Sequence, residues 1–339
     1  MFGASSLSQA LLSVEETAKL IQAGNVLLLA GDESALRTLP KGNWVGGTIP
    51  YFICSEDGGQ ASREKVFVTD VSGVVEGAGI VAYDADNLAR VYSDGPANGF
   101  SFVIIPAQSK AHLAFALNAP HYQDFGSRPL IGWISGVHLD ELGHAAPKVF
   151  NGLSGEALEQ EAIVLHAGIQ AGKVVEAGII NLFEQGEGDV LTFPDEGFSA
   201  KDVLVNGEKK NFAAYILKHN LDTKLPLVAD YYGIMVNISF QGFDEAEGTV
   251  KFYAPVFRGI PYKLAKPVAD YGVAFKSKLE SQRHLAQEKV VFSCNCILNY
   301  LYSNLEGETT NPFAGPISFG EIAYQLLNQT LVYLEVHEV

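Results

Sequence analysis

Apolar positions at helical spacing open the chain. Ser13-Val14-Glu15-Glu16 reads as a capping box, in which the serine hydroxyl and the third-position glutamate satisfy each other's backbone N–H groups. Val14, Ala18 and Ile21 then fall on one face, and Gly24 stands where a left-handed cap would stop the helix. Asn25-Val26-Leu27-Leu28-Leu29-Ala30 is a short apolar run of a buried strand, and Gly31-Asp32 starts a second helical stretch reaching Leu39. Helix, buried strand, helix predicts a sheet with both faces covered.

Beyond Pro40 the period falls toward two. Strands are predicted at 65–69, 80–83 and 100–105, followed by a helix at 110–117 and a buried strand at 130–134. Segments 162–167 and 174–182 are expected to pair as a hairpin across Gln170-Ala171-Gly172. The stretch 184–196, acidic and broken by glycine and proline, predicts a domain boundary at 195. After it come a strand at 202–205, a turn at Asn206-Gly207, a helix near 210–218, strands at 250–253 and 260–264, and a charged helix at 276–287. A strand at 290–293 runs into Cys294-Asn295-Cys296 and a helix at 297–302, and the alternating segment 330–336 is a last strand. No fixed-period repeat is visible. The expected fold class is α/β, with two domains, 1–195 and 196–339, each a mixed sheet flanked by helices.

Charge narrows the partners. The formal net charge is −16, against the cationic face that a nucleic-acid partner requires. The acidity is uneven, with 10 basic and 23 acidic residues in 1–195 against 13 and 16 in 196–339, which supports the same boundary. Three cysteines, Cys54, Cys294 and Cys296, are too few for a disulfide framework. The first basic residue is Lys19 and no uncharged run is long enough to span a bilayer, so a cytoplasmic protein without a membrane partner is expected.

Familiar catalytic signatures fail on spacing. Gly77-Ala78-Gly79-Ile80-Val81-Ala82 fits a dinucleotide fingerprint in letters, yet a strand follows it where a helix N-terminus is needed. His138-Leu139-Asp140-Glu141-Leu142-Gly143-His144 gathers possible metal ligands, but its histidines are six apart across a glycine and do not share a helix face. Cys294-x-Cys296 lacks redox or zinc spacing. Its position says more, because a strand ending at Ser293 before a helix sets Cys294, Asn295 and Cys296 near free helix N–H groups that can meet an anionic ligand group. His166, inside the apolar run Ile163-Val164-Leu165-His166-Ala167, is either a satisfied core histidine or a pocket ligand.

Three C-terminal stretches in order, Val291-Phe292-Ser293-Cys294, Gly315-Pro316-Ile317-Ser318-Phe319-Gly320-Glu321-Ile322 and Leu327-Asn328-Gln329-Thr330-Leu331, resemble the C-terminal domain of the FIST family. More loosely, 26–32, Trp44-Val45-Gly46-Gly47-Thr48 and Ile131-Gly132-Trp133-Ile134-Ser135-Gly136 resemble its N-terminal domain. Cys296-Ile297 replaces the family's usual Gly-Arg, and Pro50-Tyr51-Phe52 its usual Gly-Glu, which marks a divergent branch.

The resemblance implies an intracellular sensory protein for a small-molecule ligand, signalling through a separate partner protein. The ligand-binding residues it implies are Gly46, Gly47, Thr48, Gly132, Ser135, Cys294, Asn295, Gly320, Glu321, Asn328 and Gln329, meeting at a cleft between the domains. No cofactor is expected on that reading. Because some FIST-type proteins are haemoproteins responsive to nitric oxide, the alternative is a haem-based gas sensor with His166 as an axial ligand. An enzyme acting on a small metabolite is the second alternative, although no convergent nucleophile, base and oxyanion donor can be assembled.

Overall fold

The opening capping box forms as the sequence predicts. Ser13 caps helix α1 (Val14–Gln22), its hydroxyl and the Glu16 carboxylate satisfying each other's backbone, and Gly24 follows at φ +88°. The computed structural model describes residues 8–231, 234–244, 247–282 and 289–338. The 283–287 part of the helix expected at 276–287 lies outside the described residues.

One structural unit recurs three times. The first unit comprises β1 (Ser8–Ser13), α1, β2 (Leu27–Gly31), α2 (Glu33–Leu36), β3 (Trp44–Thr48), β4 (Tyr51–Cys54), β5 (Gly58–Ala61) and β6 (Lys65–Asp70). The second runs through β7 (Val75–Tyr83), β8 (Gly99–Pro106), α3 (Lys110–Asn118), β9 (Leu130–Ser135), β10 (Val149–Asn151), β11 (Glu156–Leu158) and β12 (Ala162–Ile169). The third starts with β13 (Lys173–Asn181) and is then interrupted. The interruption holds β14 (Leu191–Thr192), β15 (Gly197–Ala200), β16 (Asp202–Val205), β17 (Glu208–Asn211), α4 (Phe212–His219) and β18 (Leu227–Tyr231). It continues with β19 (Ile234–Ile238), β20 (Phe240–Asp244), β21 (Thr249–Val256), β22 (Tyr262–Leu264) and α5 (Tyr271–Glu280). The third unit then resumes with β23 (Val290–Cys296), α6 (Ile297–Tyr302), β24 (Gly315–Ser318), β25 (Glu321–Ala323), β26 (Gln325–Leu327) and β27 (Thr330–Glu338).

The three sheets share one plan. Their orders are β1-β6-β2-β3-β10-β11, β7-β12-β8-β9-β25-β26 and β13-β27-β23-β24-β4-β5. Each has one parallel pair (β2/β3, β8/β9, β23/β24), which needs a crossover and gets it from a helix, and every other pairing is antiparallel. Each unit also lends its hairpin to another unit's sheet: β4–β5 to the third, β10–β11 to the first, β25–β26 to the second. The inserted segment forms two sheets of its own, β17-β16-β14-β22-β18-β19 and β15-β21-β20.

The fold is therefore α/β with mixed sheets flanked by helices. Residue 195 falls inside the inserted segment, and three of the five sheets combine strands from both sides of it. The expected hairpin of 162–182 does not form. β12 pairs with β7 and β8 while β13 pairs with β27, so Gln170-Ala171-Gly172 carries the chain from one sheet to the next. Strand periodicity identified both segments but carries no information on their partners. The strand expected to end at Ser293 continues through Cys296, and its seven residues are all buried.

Where the three sheets meet, Leu28, Phe67, Phe102, Trp133, Phe292 and Pro316 fill the interior and leave no room for a water molecule. Phe102 and Phe292 join two sheets edge to face at 4.7 Å. On the flank, α3 carries His112, whose Nδ1 accepts from the Gln108 backbone N–H at 3.1 Å and whose ring meets Phe198 of the inserted segment at 5.5 Å. Its Nε2 is buried without a partner. Burial pulls its pKa down to about 4. The neutral ring is thus what folds. Its contribution to stability is complete above the unfolded value near 6.5 and is lost as pH falls through 4, about 3 kcal/mol in all. In urea melts between pH 7 and 4, His112→Leu should gain on the wild type as pH falls, by about 3 kcal/mol over the interval.

Candidate functional site

The residues nominated from the sequence lie on β3, β9 and the run β23–β27. Gly46, Gly47, Thr48, Gly132, Ser135, Cys294, Asn295, Gly320, Glu321, Asn328 and Gln329 are all buried. They form closely packed interior. A Cβ on Gly47 would sit 2.6 Å from Ile104 and 2.7 Å from Trp133. The reason is topological: Gly46, Gly47, Thr48, Gly132, Ser135, Cys294, Asn295 and Glu321 lie in strands β3, β9, β23 and β25, each with a neighbouring strand on both edges.

Several of these residues are nevertheless drawn into one polar cluster around Glu321. Ser318 Oγ donates to Glu321 Oε1 at 3.1 Å, and the backbone N–H and hydroxyl of Thr330 donate to Oε2 at 3.2 and 2.9 Å. Asn299 Nδ2 bridges the Thr330 carbonyl and Asn295 Oδ1, and Ser318 Oγ also reaches the Asn295 carbonyl at 3.4 Å. Cys294 Sγ points at the Gly132 carbonyl, 3.5 Å away. Asn295 Nδ2, Asn328 Oδ1 and Ser135 Oγ are buried without partners. Gln329 faces the inserted segment, accepting from Ser239 Oγ at 2.7 Å and donating to Tyr271 Oη at 3.2 Å.

Glu321 departs from the threefold plan. Thr48, Ser135 and Ser318 end the second parallel strand of each unit, opposite Gly31, Pro106 and Cys296. Two residues earlier the borrowed hairpin sets Phe150 against Gly46, Phe52 against Pro316, and Glu321 against Trp133. A carboxyl therefore stands where the other two sheets bury a phenyl ring. Burial raises its pKa to about 8, against the opposing effect of hydrogen bonds from Thr330, Ser318 and Cys296. The same burial, with Glu321 nearby, pushes the Cys294 and Cys296 thiols well up, which makes them poor nucleophiles.

Open space lies elsewhere, at the carboxyl ends of β2, β3 and β9. A cavity of about 360 Å³ is walled by Asp32, Glu33, Arg37, Arg63 and Glu141, with Thr48 and Gly136 also lining it. Asp32 caps α2, its Oδ1 accepting from the backbone and hydroxyl of Ser34. Thr48 Oγ1 accepts from the Lys148 backbone N–H at 2.9 Å. Glu33 holds Arg37 at 2.6 Å and Lys148 at 2.7 Å. Burial alone would raise its carboxyl, but these two cations outweigh it and keep the group below its usual range. Arg63 and Glu141 pair across the cavity wall at 2.6 Å. The sequence reading missed these charged residues. The available signal was two arginines close to Gly31 and Thr48 in a half of the chain poor in cations.

The other nominated chemistry resolves simply. His166 has both ring nitrogens engaged, Nε2 with Tyr83 Oη at 2.9 Å and Nδ1 with Ser101 Oγ at 2.7 Å. Ligating a haem iron would cost it one of these bonds. His138 stacks on Tyr51 at 5.3 Å, and among the described residues no three His, Cys, Asp or Glu side chains are grouped to hold a metal ion. Among the same residues no helix is long and apolar enough to cross a membrane.

A search among curated proteins found no match to the chain. A family model does match, over residues 12–337, nearly the whole length. The chain belongs to that family, DUF6976, a family of unknown function.

Proposed function

We propose that the protein binds a small polar metabolite in the cavity at the ends of β2, β3 and β9, and that it is a sensory protein of the kind the FIST resemblance implies, its output passing to a separate partner. The observation that carries the reading is the cavity itself. Its 360 Å³ suits a small metabolite, and it sits outside the carboxyl ends of a parallel pair, where open α/β sheets favour ligands. Thr48 and Gly136, from two of the three glycine-rich segments behind the resemblance, line it. The void lined by Cys294, Asn295 and Thr310 measures about 10 Å³, at most one water.

The test is a thermal-shift screen of metabolites on the full chain, with native mass spectrometry of the purified protein. A ligand at a hundred times its Kd should add about 2.7 kcal/mol of stability. Ala146→Trp, a bulky substitution at an exposed lining position, should weaken the response while leaving the unliganded melting temperature within a few degrees. A broad panel that shifts nothing, together with a bare mass, would remove the proposal.

A further inference from the structure

The cavity is rich in donors and short of free acceptors. Each guanidinium offers five N–H groups. Arg37 places Nε and Nη2 on Glu33, and Arg63 places Nη1 on Glu141, which leaves the other nitrogens without a bond among the described residues. On the acceptor side, Glu33 is occupied on both oxygens, and Asp32 and Glu141 on one each. The Arg63–Glu141 pair is half in solvent, with side chains 47% and 34% exposed, so it is a weak bond that exchanges cheaply. The Arg37–Glu33 pair is as exposed, at 52% and 31%, though Arg37 also lies over the Phe150 ring at 5.9 Å. Two guanidiniums with spare nitrogens thus line the same cavity, and their planar forks suit oxygen anions better than lysine would.

From this arrangement we infer that the ligand is a small oxyanion-bearing metabolite, a carboxylic acid or a phosphate ester, which replaces Glu141 as the partner of Arg63. The inference rests on the cavity reading above and adds the ligand's chemical class. The exchange has a structural consequence. Arg63 belongs to the turn between β5 and β6, whereas Glu141 follows β9, so their bond ties the first unit to the second. Tyr51 adds a second tie, its hydroxyl accepting the Leu139 backbone N–H at 3.1 Å. Binding would remove one of the ties on the segment 136–146, leaving Tyr51 and the Gly136 N–H bond to the Thr48 carbonyl, and that segment is the surface a partner would read.

Titration calorimetry at fixed ionic strength can separate the classes. Succinate and glycerol 3-phosphate serve as the two oxyanion probes, putrescine as a cation and glycerol as a neutral control. One or both oxyanions should bind, and which of them does so distinguishes carboxylate from phosphate. Arg63→Ala should cost at least tenfold in affinity, Arg63→Lys less, and Glu141→Gln should tighten binding severalfold by removing the competing carboxylate. Hydrogen exchange at 138–146 should rise on binding. Binding of putrescine alone, or oxyanion affinity unchanged in Arg63→Ala and Glu141→Gln, would overturn the oxyanion class while leaving the cavity as a ligand site. Silence from all probes and from the metabolite panel would overturn both readings. Arg63 and Glu141 are surface side chains, so these variants are expected to fold, and their circular dichroism checks that directly.

Discussion

Alanine in place of Gly132 is expected to cost about 3 kcal/mol or more, a large share of a typical domain's stability. A Cβ at this position would lie 1.7 Å from the Val103 carbonyl oxygen, its partner across the β8/β9 parallel pair. Backbone cannot yield there without opening the pair. The threefold plan supplies a replicate. Gly315, also three residues before the strand-ending hydroxyl, would place its Cβ 1.8 Å from the Ser293 carbonyl. The first unit has Val45 at the matching position, so the constraint belongs to two of the three sheets. Chemical denaturation of Gly132→Ala and Gly315→Ala, with the unobstructed Gly79→Ala as reference, measures it. A loss below about 1 kcal/mol in both would mean that the parallel pairs do not approach so closely.

The second large effect concerns Glu321 and alkaline pH. Its folded pKa, about 8, lies above the ordinary 4.5, so the folded protein holds a proton that the unfolded chain has released. The stability it contributes is complete below pH 4.5 and is lost as pH rises through 8, about 5 kcal/mol in total. His112 has the opposite dependence, complete above 6.5 and lost toward 4. Between 4.5 and 6.5 the two slopes cancel. From pH 6.5 to 8 only the carboxyl titrates, and the wild type should lose about 2 kcal/mol. Glu321→Gln should be flat over that interval, even if it is less stable at pH 6 through a poorer fit to Thr330. An alkaline slope that persists unchanged in the variant would show that the buried carboxyl does not set it.

Local structure was legible because local chemistry decides it. The Ser13 capping box, the apolar run before Gly31, the Asn206-Gly207 turn between β16 and β17 and the alternation at 330–336 all appear where their residues demand. Partnership was not legible. Nothing in Val149-Phe150-Asn151 says that it pairs with β3, or in Glu321-Ile322-Ala323 that it pairs with β9. The recurrence of the unit escaped a fixed-period search because loop lengths differ between units and a long segment splits the third. For the site, the resemblance pointed to Thr48 and to the glycine turn ending at Gly136, which do line open space. It also pointed to Cys294, Asn295 and Glu321, which pack inside. Arg37 and Arg63 were passed over because each sits in an ordinary surface context, and only folding sets them beside one cavity.

The exchange of hairpins has a consequence for how a ribosome must deliver this chain. Ile53 has Gly59 on one edge but lacks its other neighbour until Gly315 emerges, and Gly132 lacks one until Ile322 does. Only the first of the three sheets, all within residues 8–158, can close early; the second and third wait for C-terminal strands, so nascent chains carry unpaired strand edges through much of synthesis, the state that invites aggregation and chaperone capture. Stop codons late in the message should thus be as damaging as early ones, and fragments cut between units should regain structure only when mixed.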